Sequence, residues 1–574
     1  MGIPHLISTL EPFAVHGLLN DKSVVIDGPA LAYHILYICN RNGAVLPSYQ
    51  LLGDTAVAWL DELTRRRVSV EAIFFDGHLP LTKRPVRMGR VAKSFHQLKL
   101  AHSADPMGRS RSYLSSPTDT YGEADLFSSK PPPGRPFLPP SFHVPAVIEV
   151  LRLSRYQSRV RLVPGEADAY CAQHLLESGG TVLTSDSDLL AHDLGRGSVM
   201  FFRDIHLDGD ARLTCATFSP GHICERLGLS SSDQICRFAY ERKLDPHLSL
   251  PEILQQCSKK IEDTTGYDEF CHEYLHQEIA PLPVSNAGDT IQIHSLDPRI
   301  SELVLQLGSP CLTEDDQEAK IFLPILIENP TRGSAWEQST SIRQLAYTIL
   351  GWIIPGQASP MQEYRRVNST VQKGRQVSIL TKKPAEEFGK IVVNLMTEIR
   401  KETRQNAELS WLILCLSLDI RYCFEEEKQS HVLQTLQNAS QFLNPSKVTW
   451  DTIHFVAQLQ AAYYSLRILR QVLSLAPARE TIPELHKLLV SLPPLTEFPD
   501  IDRVINNLLK TDEIQTLKLV EKVVPFPLSD IQESKWAAPR KRKASRESVP
   551  KAKPSTGGRA SAARNQFDVL SQDG

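Results

Sequence analysis

The stretch TVLTSDSDLL, residues 181–190, joins an apolar, β-branched run to two carboxylates one residue apart, Asp186 and Asp188. Burying either acid in a core would cost several kcal/mol unless it were neutralised or hydrogen-bonded. The pattern therefore predicts a buried strand whose end is an exposed or ligand-bearing edge. Three other short runs finish the same way: SVVIDG (23–28) in Asp27, VEAIFFDG (70–77) in Asp76, and SRVRLVPGEAD (158–168) in Glu166 and Asp168. Continuous apolar runs separated by helix-like segments such as LLGDTAVAWLDELTRR read as parallel strands of an α/β sheet. Ligands of such sheets gather beyond the carboxyl ends of the strands.

Length and composition bound the rest. At 574 residues the chain exceeds one core, and 41% hydrophobic content is ordinary for a globular protein. No apolar run approaches the roughly 18 residues of a membrane span. MGIPHLISTLEP has neither the basic start and apolar core of a signal peptide nor, with Leu6, a myristoylation pattern. The ten cysteines form no C-x-x-C pair. Unreactive thiols in a reducing compartment, and an intracellular protein, are the expectation.

Three regions follow. Residues 1–250 are predicted to form the α/β domain, interrupted by a Ser/Pro/Gly-rich insertion at about 105–141 that offers too little apolar surface to offset the entropy of ordering. Residues 251–532, with segments such as IRQLAYTILGWII and FVAQLQAAYYSLRILRQVLSL, show helical periodicity and predict a mostly α-helical domain. Residues 533–574 read as a disordered basic tail. Lys535 to Arg564 carries ten Lys or Arg against the single acid Glu547, so a chain of net charge -3 has an acidic folded part and a cationic end. PRKRK, 539–543, has the form of a nuclear-localisation signal, although such runs are also ordinary solvated tails.

Singly, each acid has a modest explanation. Asp27 before Gly28 and Asp76 before Gly77 are turn formers or helix caps, Asp186 and Asp188 can cap a helix, and Glu166 and Asp168 suit a helix start. Jointly those explanations fail, because six carboxylates on one sheet edge repel unless cations neutralise them. Oxygen donors without His or Cys suit Mg²⁺ or Mn²⁺ rather than zinc. Two such ions about 4 Å apart are the usual apparatus of phosphodiester hydrolysis.

MGIPHL, VVIDGPALAY, FFDGHLPLTKRPVRMGR, GEADAYCA and TSDSDLL together resemble the ordered motifs of the XPG/flap-endonuclease superfamily, whose nuclease fold is PIN-like, and within it the asteroid-type branch. The resemblance spans roughly residues 1–240 apart from the insertion. It implies a structure-specific DNA endonuclease of DNA repair that cleaves near single-strand/double-strand junctions with two Mg²⁺ or Mn²⁺ ions. Asp27, Asp76, Glu166, Asp168, Asp186 and Asp188 fall on the metal-carboxylate positions, and Gly2 matches the small residue beside the active site. Tyr33 matches an aromatic that stacks on a nucleotide. Lys83 and Arg90 match a basic pair that polarises the scissile phosphate, and their spacing of seven independently places them on one helical face. A solvated cationic face explains that pair equally well.

The chain departs from the superfamily pattern in three places. The loop expected to hold a seventh carboxylate reads ERKLDP, leaving Asp245 as its candidate or as a plain turn. No glycine-rich duplex-gripping hairpin appears in residues 246–300. The insertion is expected to replace most of the helical gateway after Arg90. A nuclease-like scaffold acting through its helical half is therefore the alternative function, with protein partners there. An HAD-type phosphatase built on Asp186 and Asp188 is disfavoured, since Leu190 follows where that chemistry needs Thr.

Overall fold

The computed structural model describes residues 3–80, 83–110, 114, 125–127, 138–229, 233–261, 264–275, 282–285, 288–308, 318–354, 360–366, 374–438, 447–475, 482–509 and 513–528. Gly2, most of the insertion and the whole basic tail, with PRKRK, lie outside them.

The apolar runs form strands where the sequence places them. β1 is Val15–Leu18, β2 Ser23–Asp27, β3 Ser69–Asp76, β4 Arg109–Ser110, β5 Val160–Val163, β6 Thr181–Thr184, β7 Ser198–Phe201, β8 His206–Leu207 and β9 Leu213–Phe218. All but β4 belong to one sheet of order β1-β9-β7-β6-β2-β3-β5, with β8 on β9. β5, β3, β2, β6 and β7 run parallel, while β1, β8 and β9 pair antiparallel. The fold is thus α/β with a mostly parallel sheet. Parallel register places Asp27 opposite Phe74 and Asp76 opposite Val163, so both acids leave the same edge.

Helices cover both faces. Gly28–Arg41, Tyr49–Arg65 and His143–Leu153 bury leucines, isoleucines and Trp59 on one side, and Ala167–Ser178 packs Cys171 and Leu175 on the other. Two glycines beside the acids allow close approach. A Cβ on Gly28 would lie 2.5 Å from the Phe74 carbonyl oxygen, and one on Gly77 would lie 2.3 Å from the Val163 oxygen and 2.8 Å from Ser301 Oγ. Asp-Gly at both strand ends is therefore a packing requirement, and neither glycine has positive φ.

Helix Arg84–Ala104 continues well beyond Arg90, correcting the expectation that the insertion displaces it. Phe95 and Leu98, three residues apart, bury one side of it, and the Arg366 guanidinium lies 5.7 Å from the Phe95 ring centroid. Among the described insertion residues, Leu114, Phe127 and Leu138 are buried in the core.

The C-terminal half contains long helices, including Thr340–Ile353, Lys382–Glu402, Ala407–Glu425 and the almost wholly buried Trp450–Leu475. It also holds a small sheet that helical periodicity does not foreshadow: β10 (Lys320–Phe322), β11 (Met361–Tyr364) and β12 (Arg375–Val377). Such short strands carry too little alternation to be recognised. The Arg343 guanidinium, wholly buried, reaches Glu363 of β11 at 2.6 and 2.9 Å. β13, Lys447–Val448, pairs with β4.

Residues Met1–Gln532 form one compact unit, with a core continuous across residue 250. Phe142 stacks on Tyr464 with centroids 4.2 Å apart, Arg467 pairs with Glu149, and Trp450 Nε1 donates to the Asp105 carbonyl at 2.8 Å. Among the described residues the cysteines are free thiols, and no helix is long and apolar enough to cross a membrane.

Candidate functional site

The opening stretch ends as a folded corner. After β6, the Thr184 hydroxyl donates to Asp27 Oδ2 at 2.6 Å, and the Asp186 amide donates to Thr184 Oγ1 at 3.0 Å. Asp186 caps the short 3₁₀ helix Ser187–Ala191 by accepting from the Asp188 amide. Asp188 in turn accepts from the Ile3 amide at 2.8 Å and the Tyr274 hydroxyl at 3.3 Å. Asp27 caps helix Gly28–Arg41 through the Ala30 amide, and Asp76 accepts from the Ala167 amide at 2.7 Å, with Glu166 and Asp168 at the start of the same helix. The capping roles are real, and they orient the acids toward one shelf.

Electrostatics link the acids. Burial is the first cause raising the Asp27 pKa to about 6, with Asp186 adding to it. Burial also raises Asp76 to about 6, with Asp27 contributing, and Asp188 to about 7, with Asp186 contributing. Asp168 lies well above the usual carboxylate range because of burial and then Asp27, Asp186, Asp76 and Glu166. Glu166 is raised by burial and Asp76, against the pull of Lys83. All six carboxylates thus belong to one mutually repelling set.

Lys83 precedes helix Arg84–Ala104, and its Nζ stands 2.7 Å from Glu273 Oε1 and 3.7 Å from Glu166 Oε1. Burial opposes its charge, but Glu166, Glu273 and Asp188 outweigh that and hold its pKa above the ordinary lysine value. Arg90, exposed on the same helix, lies close enough to Asp76 to favour its ionised form. Tyr33 is 54% exposed, with its ring centroid 4.5 Å from that of His143.

Asp245 is placed apart from this interacting set. It is exposed, and its carboxylate accepts from the His247 amide at 2.9 Å in a local turn. The nearest new acid is Glu273 on helix Thr264–Tyr274, which also meets Lys243 at 3.3 Å. Nothing in the surrounding CHEY announced it, because only packing of that helix brings it to Lys83. Thr184 was legible in the quoted stretch but read only as a β-former.

The donor set tests whether hard divalent ions fit. It is all oxygen, acidic and internally repulsive, which suits Mg²⁺ or Mn²⁺. Among the described residues no three His, Cys, Asp or Glu side chains form a closed coordination group. Mg²⁺ ordinarily keeps several waters and takes one or two carboxylates, so an open shelf fits it better than a cage does.

Residues 139–379 match the family model described as XPG domain containing. This stretch includes Glu166, Asp168, Asp186 and Asp188. Across more of its length the chain is similar to Asteroid homolog 1 of Schizosaccharomyces pombe (strain 972 / ATCC 24843), with 21% identity over 479 residues, 82% of each chain. Two solved structures, both of the catalytic core of Rad2 in complex with DNA substrate, align at 16% and 17% identity with TM-scores of 0.28, covering 54% of this chain and 96% of theirs.

Proposed function

We propose that the protein is a divalent-metal-dependent DNA endonuclease acting near junctions between single and double strands, in DNA repair. The observation that carries this reading is the mutual coupling of Asp27, Asp76, Glu166, Asp168, Asp186 and Asp188 at one sheet edge, within an XPG-type chain. Asp27, Asp76, Glu166 and Asp168 would hold one ion or its waters. Asp186 and Asp188 would hold a second, with Glu166 or Asp168 bridging. Bound ions would activate water and neutralise charge developing on the phosphate. Lys83, kept cationic by its acidic neighbours, and Arg90 orient and stabilise the scissile phosphate. Tyr33 offers a stacking face. The basic tail directs the protein to the nucleus, and the helical half provides surface for protein partners.

Cleavage of flap, overhang and splayed DNA in Mg²⁺, with the Asp186→Ala variant beside the wild type, tests the assignment. Activity that survives the substitution rejects the site. The exposed, turn-bound Asp245 favours a second reading, a nuclease-like scaffold with weak turnover. Calorimetric Mn²⁺ titration separates the two, because only the nuclease requires two bound ions.

A further inference from the structure

Away from the shelf, and sharing no residue with it, a cleft of about 460 Å³ opens where the two halves of the chain meet. Leu51 of helix Tyr49–Arg65 forms one wall, Ile453 and Val456 of helix Trp450–Leu475 the second, and Phe498 with Ile501 the third. All five are buried, so the floor is apolar and packed from behind. The third wall is held in place. Gln460 Nε2 donates to the Pro499 carbonyl at 2.9 Å, and Asp500 caps helix Ile501–Val504 by accepting from the Arg503 amide at 2.8 Å. The next turn, Ile505–Leu509, is π-helical, a rare form found mostly at functional sites, and its Asn506 reaches the cleft.

The mouth is charged. Asp54, Asp500 and Asp502 stand there against one guanidinium, that of Arg503. Arg503 faces Asp500 at 3.9 Å and donates to the Glu497 carbonyl at 2.9 Å, so part of its charge is balanced within the wall itself. Asp54 is exposed and accepts from Gln50 Nε2 at 2.7 Å. An apolar floor ringed by polar groups is the anatomy of an anchor site between proteins. An acidic segment would add repulsion at this mouth, and a wholly apolar one would cover the carboxylates without pairing them. We propose that the cleft docks a short amphipathic segment of a partner protein, an apolar side chain entering between Val456 and Phe498 and a lysine or arginine meeting Asp500 and Asp502. This locates the surface by which the C-terminal half engages partners and rests on that part of the functional reading; it is independent of catalysis at the shelf.

The test uses the full chain and a fluorescein-labelled helical peptide of alanine, leucine and arginine, with leucines at i, i+3 and i+7 and an arginine beside each, together with a twin in which glutamate replaces arginine. Anisotropy is expected to show saturable binding of the arginine peptide, weakening with salt, and none of its twin at the same concentrations. Asp54→Arg combined with Asp502→Arg, at the mouth, is expected to weaken binding about tenfold or more. Ala457→Trp, which fills the floor, is expected to abolish it. Should that variant melt early, the mouth pair decides. Equal binding of both peptides, or binding unaltered by the mouth substitutions, overturns the proposal. Saturable binding of octylamine without the peptide assigns the cleft to a small amphipathic cation and overturns it too. Cleavage of overhang DNA in Mg²⁺ is measured in the same variants, whose altered residues lie outside the shelf. Specific peptide binding without cleavage removes the nuclease reading alone, and cleavage without specific binding removes the docking site alone.

Discussion

The Thr184 hydroxyl is bonded to the Asp27 carboxylate at 2.6 Å, wholly within the protein, and the same oxygen accepts from the Asp186 amide. One hydroxyl thus joins the ends of β2 and β6 and sets the spacing between two acids that repel. Thr184→Val keeps the shape and removes both bonds. It should destabilise the fold by about 1–3 kcal/mol, the cost of leaving buried polar groups unsatisfied. Because that bond lowers the Asp27 pKa, its loss should also move the acidic limb of the pH–rate profile upward. Denaturant titration and the pH profile of cleavage check the two effects, and an unchanged limb would separate Asp27 from activity.

Stability should depend on pH in a direction opposite to that of most carboxylates. Asp27 and Asp76 titrate near 6 and Asp188 near 7 in the folded state, above the ordinary 3.8, so the fold holds these protons more tightly than the unfolded chain. Their stabilising contribution is complete below about pH 4 and is lost as pH rises through 6 to 7. Metal-free protein is expected to melt lower at pH 8 than the shelf would allow if neutralised, and Mg²⁺ should raise the melting temperature more at pH 8 than at pH 5. Buried Asp419, raised to about 8 by burial, contributes a similar slope, so the comparison is made with Asp188→Asn. That variant should flatten the curve by on the order of 2 kcal/mol between the two limits. Identical slopes for variant and wild type would contradict the assignment.

Lys83 and Glu273 should separate kinetically. Lys83→Ala removes the half-buried ammonium beside Glu166 and is expected to lower kcat by about 10²-fold or more, as loss of one transition-state charge stabiliser does. Glu273→Gln leaves the ammonium in place with one fewer acidic neighbour. Its effect should fall mainly on pH dependence, with the Lys83 pKa moving down toward its ordinary value. Steady-state kinetics across pH distinguish the two, and equal losses of kcat would give Glu273 a direct role.

Arg343 and Glu363 test the C-terminal half. Both side chains are fully buried, and Glu363 also accepts from the Tyr347 hydroxyl at 2.9 Å. Arg343→Met leaves that carboxylate without its closest cation and should cost about 3–5 kcal/mol, whereas replacing both partners with apolar residues should cost much less. Thermal unfolding of the single and double variants measures the difference.

Gly77→Ala forces a Cβ against the Val163 carbonyl and Ser301. Relief requires backbone movement, so a loss of about 1–3 kcal/mol is expected, together with weaker cleavage as Asp76 shifts. A fully stable and active variant would show that the strand end is not tightly held.

Much of this fold is readable along the chain. β-branched runs ending in acids encode parallel strands and their exposed edge, because alternation, burial and propensity act over neighbouring residues. The spacing of Lys83 and Arg90 predicts one helical face, whereas Lys83 stands just before the helix at its N-cap. Legibility ends where contacts carry no local mark. Glu273, the extent of helix Arg84–Ala104 and the strands β10 to β12 depend on what packs against them.

The order and chemical type of the six acids were therefore set by the sequence itself. Their meeting on one edge was decided by the parallel register of β5, β3, β2 and β6, which brings residues as distant as Asp27 and Asp186 into mutual repulsion. The cleft between Leu51, Val456 and Phe498 was likewise decided by tertiary structure. The physical reason is that these contacts join chain segments far apart in sequence, and a single core, shared across residue 250, supplies the burial that holds them together.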